Sequence, residues 1–532
     1  MKKAVLFLTI ILYIFTAGCA AVDKPSSYDS SSFGDATSDS SLADVTSLPT
    51  DAQVTTADEI TADVPEVIYQ NFSTSIEAEM GIIGGSLKLA QKRTGYSGAG
   101  YITGFDHSGA NKFEVSTMLP TNQHYNITIV VASDKKENNN LTANNEIIGE
   151  FITSGSGDFE AITFKNIFLK KGVAKFGISE VTGGIDIDSI HITSSTDIIE
   201  IAQNLTPELI NENANIKTKN TMNFLTENYG EKIISGQYAS VGTNQELEVI
   251  YRTTGRYPAM RLGDMLPYTT ANADQTREIE HAIEWSKTGG LVSYVWHWLA
   301  PSGGRSCYTE ETEFSLQNAV TDVDVSEMSL QEIAELVSDG VLTEECYQLV
   351  RDIDMISEQL KTLQDNNVTV LWRPLHEASG GWFWWGSYGE DAYKWLWEMM
   401  YRRQTNYHEL NNLIWVWNAQ MASWYVGDEL CDIISADIYL DAGSQNSQIN
   451  TYIQLNKISQ NKLIALSECA NPPSPDLIFR DSAYWSFFGV WCGDFTIDEH
   501  GDFSEKYITK DQLIRIYSHE KVLTLEELPD LR

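Results

Sequence analysis

Beyond residue 203 the chain alternates short, almost wholly apolar runs with longer stretches in which apolar positions recur at helical spacing. The apolar runs predict eight strands, at 232–240, 257–265, 291–300, 368–377, 413–420, 432–440, 462–470 and 487–495. Helical spacing predicts helices over 273–287, 347–366 and 393–410, with another over 510–520 after the last strand. Near-continuous apolar strands separated by amphipathic helices imply a parallel sheet covered by helices. Eight such units predict an α/β domain, a (β/α)8 barrel of the TIM type, over 203–525. The rhythm between 68 and 195 is different. Short strands at 125–132, 146–153, 161–168, 174–179 and 185–193 are broken by Gly, Asn and Ser. Many of them alternate apolar and polar residues, which predicts an all-β antiparallel sandwich ahead of the barrel.

Residues 19–67 are rich in Ser, Thr, Asp and Ala and carry few aromatics, so they cannot bury enough apolar surface to offset their ordering entropy. They are expected to form a disordered tether. Ahead of them Lys2 and Lys3 precede an apolar run and the string Thr16-Ala-Gly-Cys19, the layout of an export signal over 1–18. The small residues leading into Cys19 resemble a bacterial lipobox, although Thr16 stands where leucine is usual. That resemblance implies lipidation of Cys19 and a place on the extracellular face of a bacterial membrane, or plain secretion, with the lipid as the sole membrane contact. The other five cysteines are too few and too scattered for a disulfide framework or a zinc pattern; at most one pair is expected. A formal net charge of -38 argues against nucleic acid or an anionic membrane surface as partner. A monomer is expected.

In a (β/α)8 barrel chemistry gathers at the C-terminal ends of the strands. The fourth predicted strand ends in Arg373, His376 and Glu377, the seventh in Glu468, the sixth in Asp437 and Tyr439, the third in His297 and Trp298, and the eighth in Trp491. Two carboxyls on opposite staves can face each other across the barrel mouth, as glycoside hydrolysis requires. All 14 tryptophans fall between Trp285 and Trp491, and four of the aromatics crowd the string Gly380-Gly-Trp-Phe-Trp-Trp-Gly386 directly after Glu377. Apolar faces of sugar rings stack on such side chains, so this loop is expected to be a sugar platform.

The strings Trp372-Arg-Pro-Leu-His-Glu377, Gly381-Trp-Phe-Trp-Trp-Gly386 and Ala465-Leu-Ser-Glu468 resemble glycoside hydrolase family 26, dominated by β-mannanases. The resemblance implies a retaining endo-β-1,4-mannanase acting on mannan, glucomannan or galactomannan, with Glu377 as general acid/base and Glu468 as nucleophile. It places His376, His297, Trp382, Asp437, Tyr439 and Trp491 along the sugar cleft, and it implies no cofactor for catalysis. Cys469, directly after Glu468, departs from the expected pattern. Related readings are a β-1,3-xylanase or mixed-linkage β-glucanase of the same family, or a surface glycan-binding lipoprotein without catalysis.

In the sandwich, Ile76-Glu-Ala-Glu79, the glycine-rich string from Gly95 to Phe105 and Gly184-Ile-Asp-Ile-Asp-Ser-Ile-His191 resemble carbohydrate-binding module family 35. That resemblance implies a structural calcium held by Glu77, Glu79 and Asp188. This segment has no tryptophan, so any stacking on a sugar falls to residues such as Tyr96 or Tyr101, which could equally be core.

Overall fold

A computed structural model describes residues 69–531, apart from 106–110, 145, 180–183, 196–204, 269–275 and 441. The expected export signal 1–18, Cys19 and the expected tether 19–67 lie outside the described residues. Among the described residues eleven strands make the first domain: β1 (Ser73–Glu77), β2 (Ile82–Gly84), β3 (Lys88–Ala90), β4 (Tyr101–Thr103), β5 (Lys112–Leu119), β6 (Gln123–Ala132), β7 (Asn138–Ala143), β8 (Glu146–Ile152), β9 (Glu160–Leu169), β10 (Gly172–Ser179) and β11 (Asp186–Ser194). They form two antiparallel sheets, β3-β4-β11-β6-β9 with β1 beside β11, and β2-β5-β10-β7-β8. Every second residue of β6 is buried, and Tyr125, Ile127, Ile129 and Val131 enter one core with Phe113, Val115 and Phe176 of the facing sheet. Five of these strands match the predicted runs. The others carry weaker signals: β2, β3 and β4 have three residues each, and β7 reads Asn-Asn-Asn-Leu-Thr-Ala, a composition depleted from strands. Pairing with β8 and β10 decides its conformation.

The second domain closes eight parallel strands into a barrel: β12 (Ile233–Tyr238), β13 (Met260–Asp264), β14 (Leu291–Val295), β15 (Val370–Arg373), β16 (Leu413–Trp417), β17 (Ile433–Ile438), β18 (Leu463–Cys469) and β19 (Phe487–Val490). The ring closes because β12 pairs with both β13 and β19, and a short β20 (Val522–Leu523) adds outside β12. Each predicted apolar run contains one strand, and each strand is shorter than its run. Most of the trimming is at the C-terminal ends, where the residues belong to βα loops. In the fourth, β15 stops at Arg373 because Pro374 offers no N–H to the ladder, and Leu375 and Glu377 then turn left-handed at φ 53° and 52°.

Ten helices among the described residues surround the strands: α1 (Ile216–Asn228), α2 (Gln245–Thr254), α3 (Glu278–Lys287), α4 (Leu316–Ala319), α5 (Leu330–Ser338), α6 (Glu344–Asp365), α7 (Glu390–Arg402), α8 (Ile449–Ile458), α9 (Pro475–Asp481) and α10 (Lys510–Tyr517). The start of α6 is set by Thr343, whose side chain accepts from the Cys346 N–H. The expected helix 393–410 leaves α-geometry at Arg403, where a π-turn runs through Arg403–Tyr407. Arg403 points inward, pairs with Asp354 at 2.7 Å and donates to the carbonyls of Val325, Ser326 and Met328, which pins the 301–345 insertion to the barrel. All five described cysteines are free, so no pair forms. Cys469 is a small buried neighbour of Glu468.

Candidate active site

Arg373, the last residue of β15, is the buried hub of the barrel mouth. It donates to Asp437 Oδ2 and to the Tyr238 hydroxyl, each at 2.8 Å, and to Glu468 Oε1. A register slip after Ala436 sets Asp437 of β17 opposite Glu468 of β18, so both acids reach the same guanidinium. The Tyr439 hydroxyl donates to the second oxygen of Glu468 at 2.7 Å. Burial first, then the Glu468 and Asp437 charges, raise the Tyr439 pKa well above its ordinary value, which keeps the phenol protonated as a donor. Both Glu468 oxygens therefore accept hydrogen bonds, one from a guanidinium and one from a neutral phenol.

Glu377 faces this cluster from the loop after β15, and one carboxylate oxygen from each of Glu377, Asp437 and Glu468 lies within 4.8 Å of the others. Its backbone N–H is caught by the Asn418 carbonyl at 2.7 Å, and its Oε2 accepts from Trp382 Nε1 at 3.1 Å. Burial, then the charges of Asp437 and Glu468, push the Glu377 pKa well above the ordinary carboxylate range, against the pull of Arg373 and Trp382. The same physics raises Asp437 to about 7, burial leading, with Arg373 opposing it. One carboxyl kept protonated beside another clamped by an arginine is the pairing that acid and nucleophile roles need.

Two histidines close the wall. His297, just beyond β14, bonds Asp264 Oδ2 through Nδ1 at 2.7 Å, and this carboxylate outweighs the lowering effect of burial and holds the imidazole pKa above its usual value. His376 packs against it edge-on at 4.6 Å between centroids. Burial, then the charges of His297 and Arg373, push its pKa well down, so it is neutral. Both of its ring nitrogens are buried and lack a protein hydrogen-bond partner. Trp491 packs on Tyr238 at 4.5 Å and on His297 at 5.8 Å. The structure thus gathers Glu377, Glu468, His376, His297, Trp382, Asp437, Tyr439 and Trp491 in one cluster at the C-terminal ends of the barrel strands.

The aromatic loop is a correction. Of the expected platform only Trp382 keeps partial exposure; Phe383, Trp384 and Trp385 are buried. Two 3-10 turns, Ala378–Gly380 and Trp384–Gly386, fold the loop inward. The turn is tight enough that a Cβ on Gly386 would lie 1.9 Å from the Ala378 carbonyl oxygen. Trp385 Nε1 then donates to the His376 carbonyl at 2.9 Å and Trp384 Nε1 to that of Trp298 at 2.7 Å, so these rings brace the site from behind. Trp298 is likewise core, donating to Asp352 at 3.1 Å. Tyr238, Asp264 and Asn418 were not singled out from sequence. Each terminates or directly follows an apolar barrel strand, and that was the signal available.

In the sandwich, Glu77, Glu79 and Asp188 converge on the turn at Ser97–Ala99. The Ser97 hydroxyl lies 2.7 Å from Glu77 Oε2 and 2.9 Å from Asp188 Oδ2, within reach of either as a donor, and the Ala99 N–H donates to Glu79 Oε1 at 2.6 Å. Gly98 stands at φ 59°, a left-handed conformation that favours glycine at this turn. Glu79 Oε2 is buried with no hydrogen-bond partner, and an all-oxygen donor set with one unspent oxygen fits a hard cation. Tyr101 is buried against Phe159 and Tyr96, which makes it core; Tyr96 stays half-buried.

The profile of Glycosyl hydrolase family 26 matches residues 210–527. A mannan endo-1,4-beta-mannosidase of Thermothelomyces thermophilus is 33% identical over 474 residues, covering 86% of this chain and 90% of that protein. The crystal structure of a Podospora anserina GH26-CBM35 beta-(1,4)-mannanase is 32% identical with a TM-score of 0.57, covering 86% of this chain and 99% of that one. A β-mannanase from a symbiotic protist of the termite Reticulitermes speratus, solved with a gluco-manno-oligosaccharide, is 29% identical with a TM-score of 0.53 and covers 62% of this chain and 99% of its own.

Proposed function

The chain belongs to glycosyl hydrolase family 26, and on that premise we propose that it is a retaining endo-β-1,4-mannanase cutting mannan, glucomannan or galactomannan. One observation carries the reading: the Glu377 and Glu468 carboxylates approach within 4.8 Å across the barrel mouth, in keeping with the ~5–5.5 Å separation of retaining enzymes. Glu468, held by Arg373 and Tyr439, attacks the anomeric carbon as the protonated Glu377 gives its proton to the departing glycosidic oxygen. The C–O bond to the leaving chain breaks, and a glycosyl ester on Glu468 forms. Glu377, now a carboxylate, takes a proton from water, whose oxygen displaces Glu468 with a second inversion, so the configuration is retained. His376 and His297 receive sugar hydroxyls, while Trp382 and Trp491 offer rings to the apolar sugar faces.

Incubation of the full chain with galactomannan should release reducing ends, and proton NMR of the first product should report the β-anomer. Absence of new reducing ends, with β-1,3-xylan and mixed-linkage β-glucan assayed beside it, would overturn the reading. Early release of mixed oligosaccharides supports internal cleavage; a single small product from the start argues for exo action.

The sandwich is best read as a carbohydrate-binding module with a structural calcium on Glu77, Glu79 and Asp188. The all-oxygen convergence on the Ser97–Ala99 turn supports this. Treatment with a chelator should lower the melting temperature, and added calcium should restore it; indifference to both removes the metal. Export with a lipid on Cys19 is supported by the signal-like composition of 1–19. Mass spectrometry of the membrane-extracted protein tests it, and an unmodified Cys19 sinks it.

A further inference from the structure

Asn418, directly after β16, is fully buried and touches none of the reacting atoms. Its side-chain NH2 reaches Asp437 Oδ1 at 2.9 Å and Ser435 Oγ at 3.1 Å on β17, and Ser467 Oγ at 3.3 Å on β18. Those anchors lie on two adjacent barrel strands, so the amide has little freedom to move. From the same residue, the backbone carbonyl accepts the Glu377 N–H at 2.7 Å, and the side-chain oxygen lies 3.4 Å from the same nitrogen. Glu377 needs such a partner. It stands at φ 52°, ψ 24°, two residues after Leu375 at φ 53°, in a backbone region that residues with side chains rarely occupy. Such a conformation persists only when its surroundings over-determine it.

We propose that Asn418 is a positioning residue for the acid/base: pinned to β17 and β18 through its amide, it holds the left-handed turn that aims Glu377 at the bond Glu468 attacks. This rests on the glycosidase reading above and adds to it a residue that tunes one carboxyl without touching substrate. A buried amide serving only packing would affect stability and leave the chemistry alone.

The test compares Asn418→Ala and Asn418→Asp with the wild-type full chain on manno-oligosaccharides and on an aryl β-mannoside whose leaving group departs without a proton. In Asn418→Ala, kcat on oligosaccharides should fall about 10²-fold, the scale of a ~1 Å misplacement, while KM barely moves. The pre-steady-state burst of activated phenol should stay near wild type, because that step needs Glu468 and not the acid. Asn418→Asp keeps the size of the side chain but cannot donate while ionised. Its deficit should shrink as pH falls, because a proton shared with Asp437 restores a donor. Arg373, Glu468, Glu377, Tyr439, His376 and His297, the charged and titratable groups around Asp437, are common to both proteins, so the wild-type-to-variant ratio isolates this effect.

Wild-type kcat and pH profile in Asn418→Asp would overturn the proposal, whether or not the alanine variant folds. So would equal losses in burst rate and oligosaccharide turnover in Asn418→Ala, which would mark general disruption. Wild-type protein inactive on every β-glycan would remove the glycosidase reading itself, a result distinct from either.

Discussion

Glu377 and Glu468 share one buried cluster, yet their neighbours treat them differently. Glu468 sits on a strand with an arginine and a phenol on its oxygens, whereas Glu377 is buried in a loop and accepts from one indole. On the proposed mechanism, replacing Glu468 with Ala removes the covalent step, and turnover on mannan should drop by on the order of 10⁴-fold or more. Glu377→Ala should lose about 10²–10⁴-fold, the usual worth of a placed acid, and retain the burst with an activated aryl leaving group. Steady-state rates on both substrates check this, and comparable activity in either variant contradicts the roles. The indole bond favours the ionised form of Glu377, so Trp382→Phe, which deletes that donor and keeps a ring, should raise the Glu377 pKa further. A raised pKa keeps the acid protonated to higher pH. The alkaline limb of kcat/KM should therefore shift upward, and a downward shift would refute the assignment of that limb to Glu377.

At the scale of elements, the loop after β15 is where pattern and packing part. Four aromatics following an acidic strand end read as a binding platform, because loops ordinarily lie at the surface. The loop instead doubles back through two short turns, and Phe383 stacks on Trp385 at 4.5 Å in the interior. A functional face and a structural back then come from one string. Trp385→Ala should cost about 3–5 kcal/mol of stability, as large buried truncations do. Trp382→Ala should cost well under half of that while lowering activity. Denaturant titrations beside activity assays separate the two, and equal stability losses would mean that Trp382 is core as well. The π-turn at Arg403 is a parallel case: 393–410 carries helical periodicity throughout, and the Asp354 ion pair with three carbonyl contacts overrides it.

Across the whole molecule, α8 packs against β8 and β9 of the sandwich, and the Arg480 guanidinium of α9 lies 4.0 Å over the Phe168 ring. Arg480 is itself fixed by Asp481, which also accepts from Ser447. Arg480→Ala removes a contact worth roughly 0.5–2 kcal/mol. Calorimetry should then resolve separate unfolding of sandwich and barrel where the parent melts more nearly as one; an unchanged trace would show that the contact does not couple them. What the linear order of residues determined was the repeating architecture and the strand ends that carry chemistry. The period of apolar positions is a local property, and Glu377 and Glu468 stand at the ends of the fourth and seventh apolar runs wherever those runs end up. What only the tertiary structure decided was which groups meet. Tyr238, Asp264, Arg373 and Asn418 come from four different strand ends, and nothing local tells a buried hydrogen-bond hub from a solvated loop residue. Three-residue strands and an inward-folded aromatic loop are also invisible locally, because ladder pairing and burial against distant chain, rather than the residues' own preferences, stabilise them.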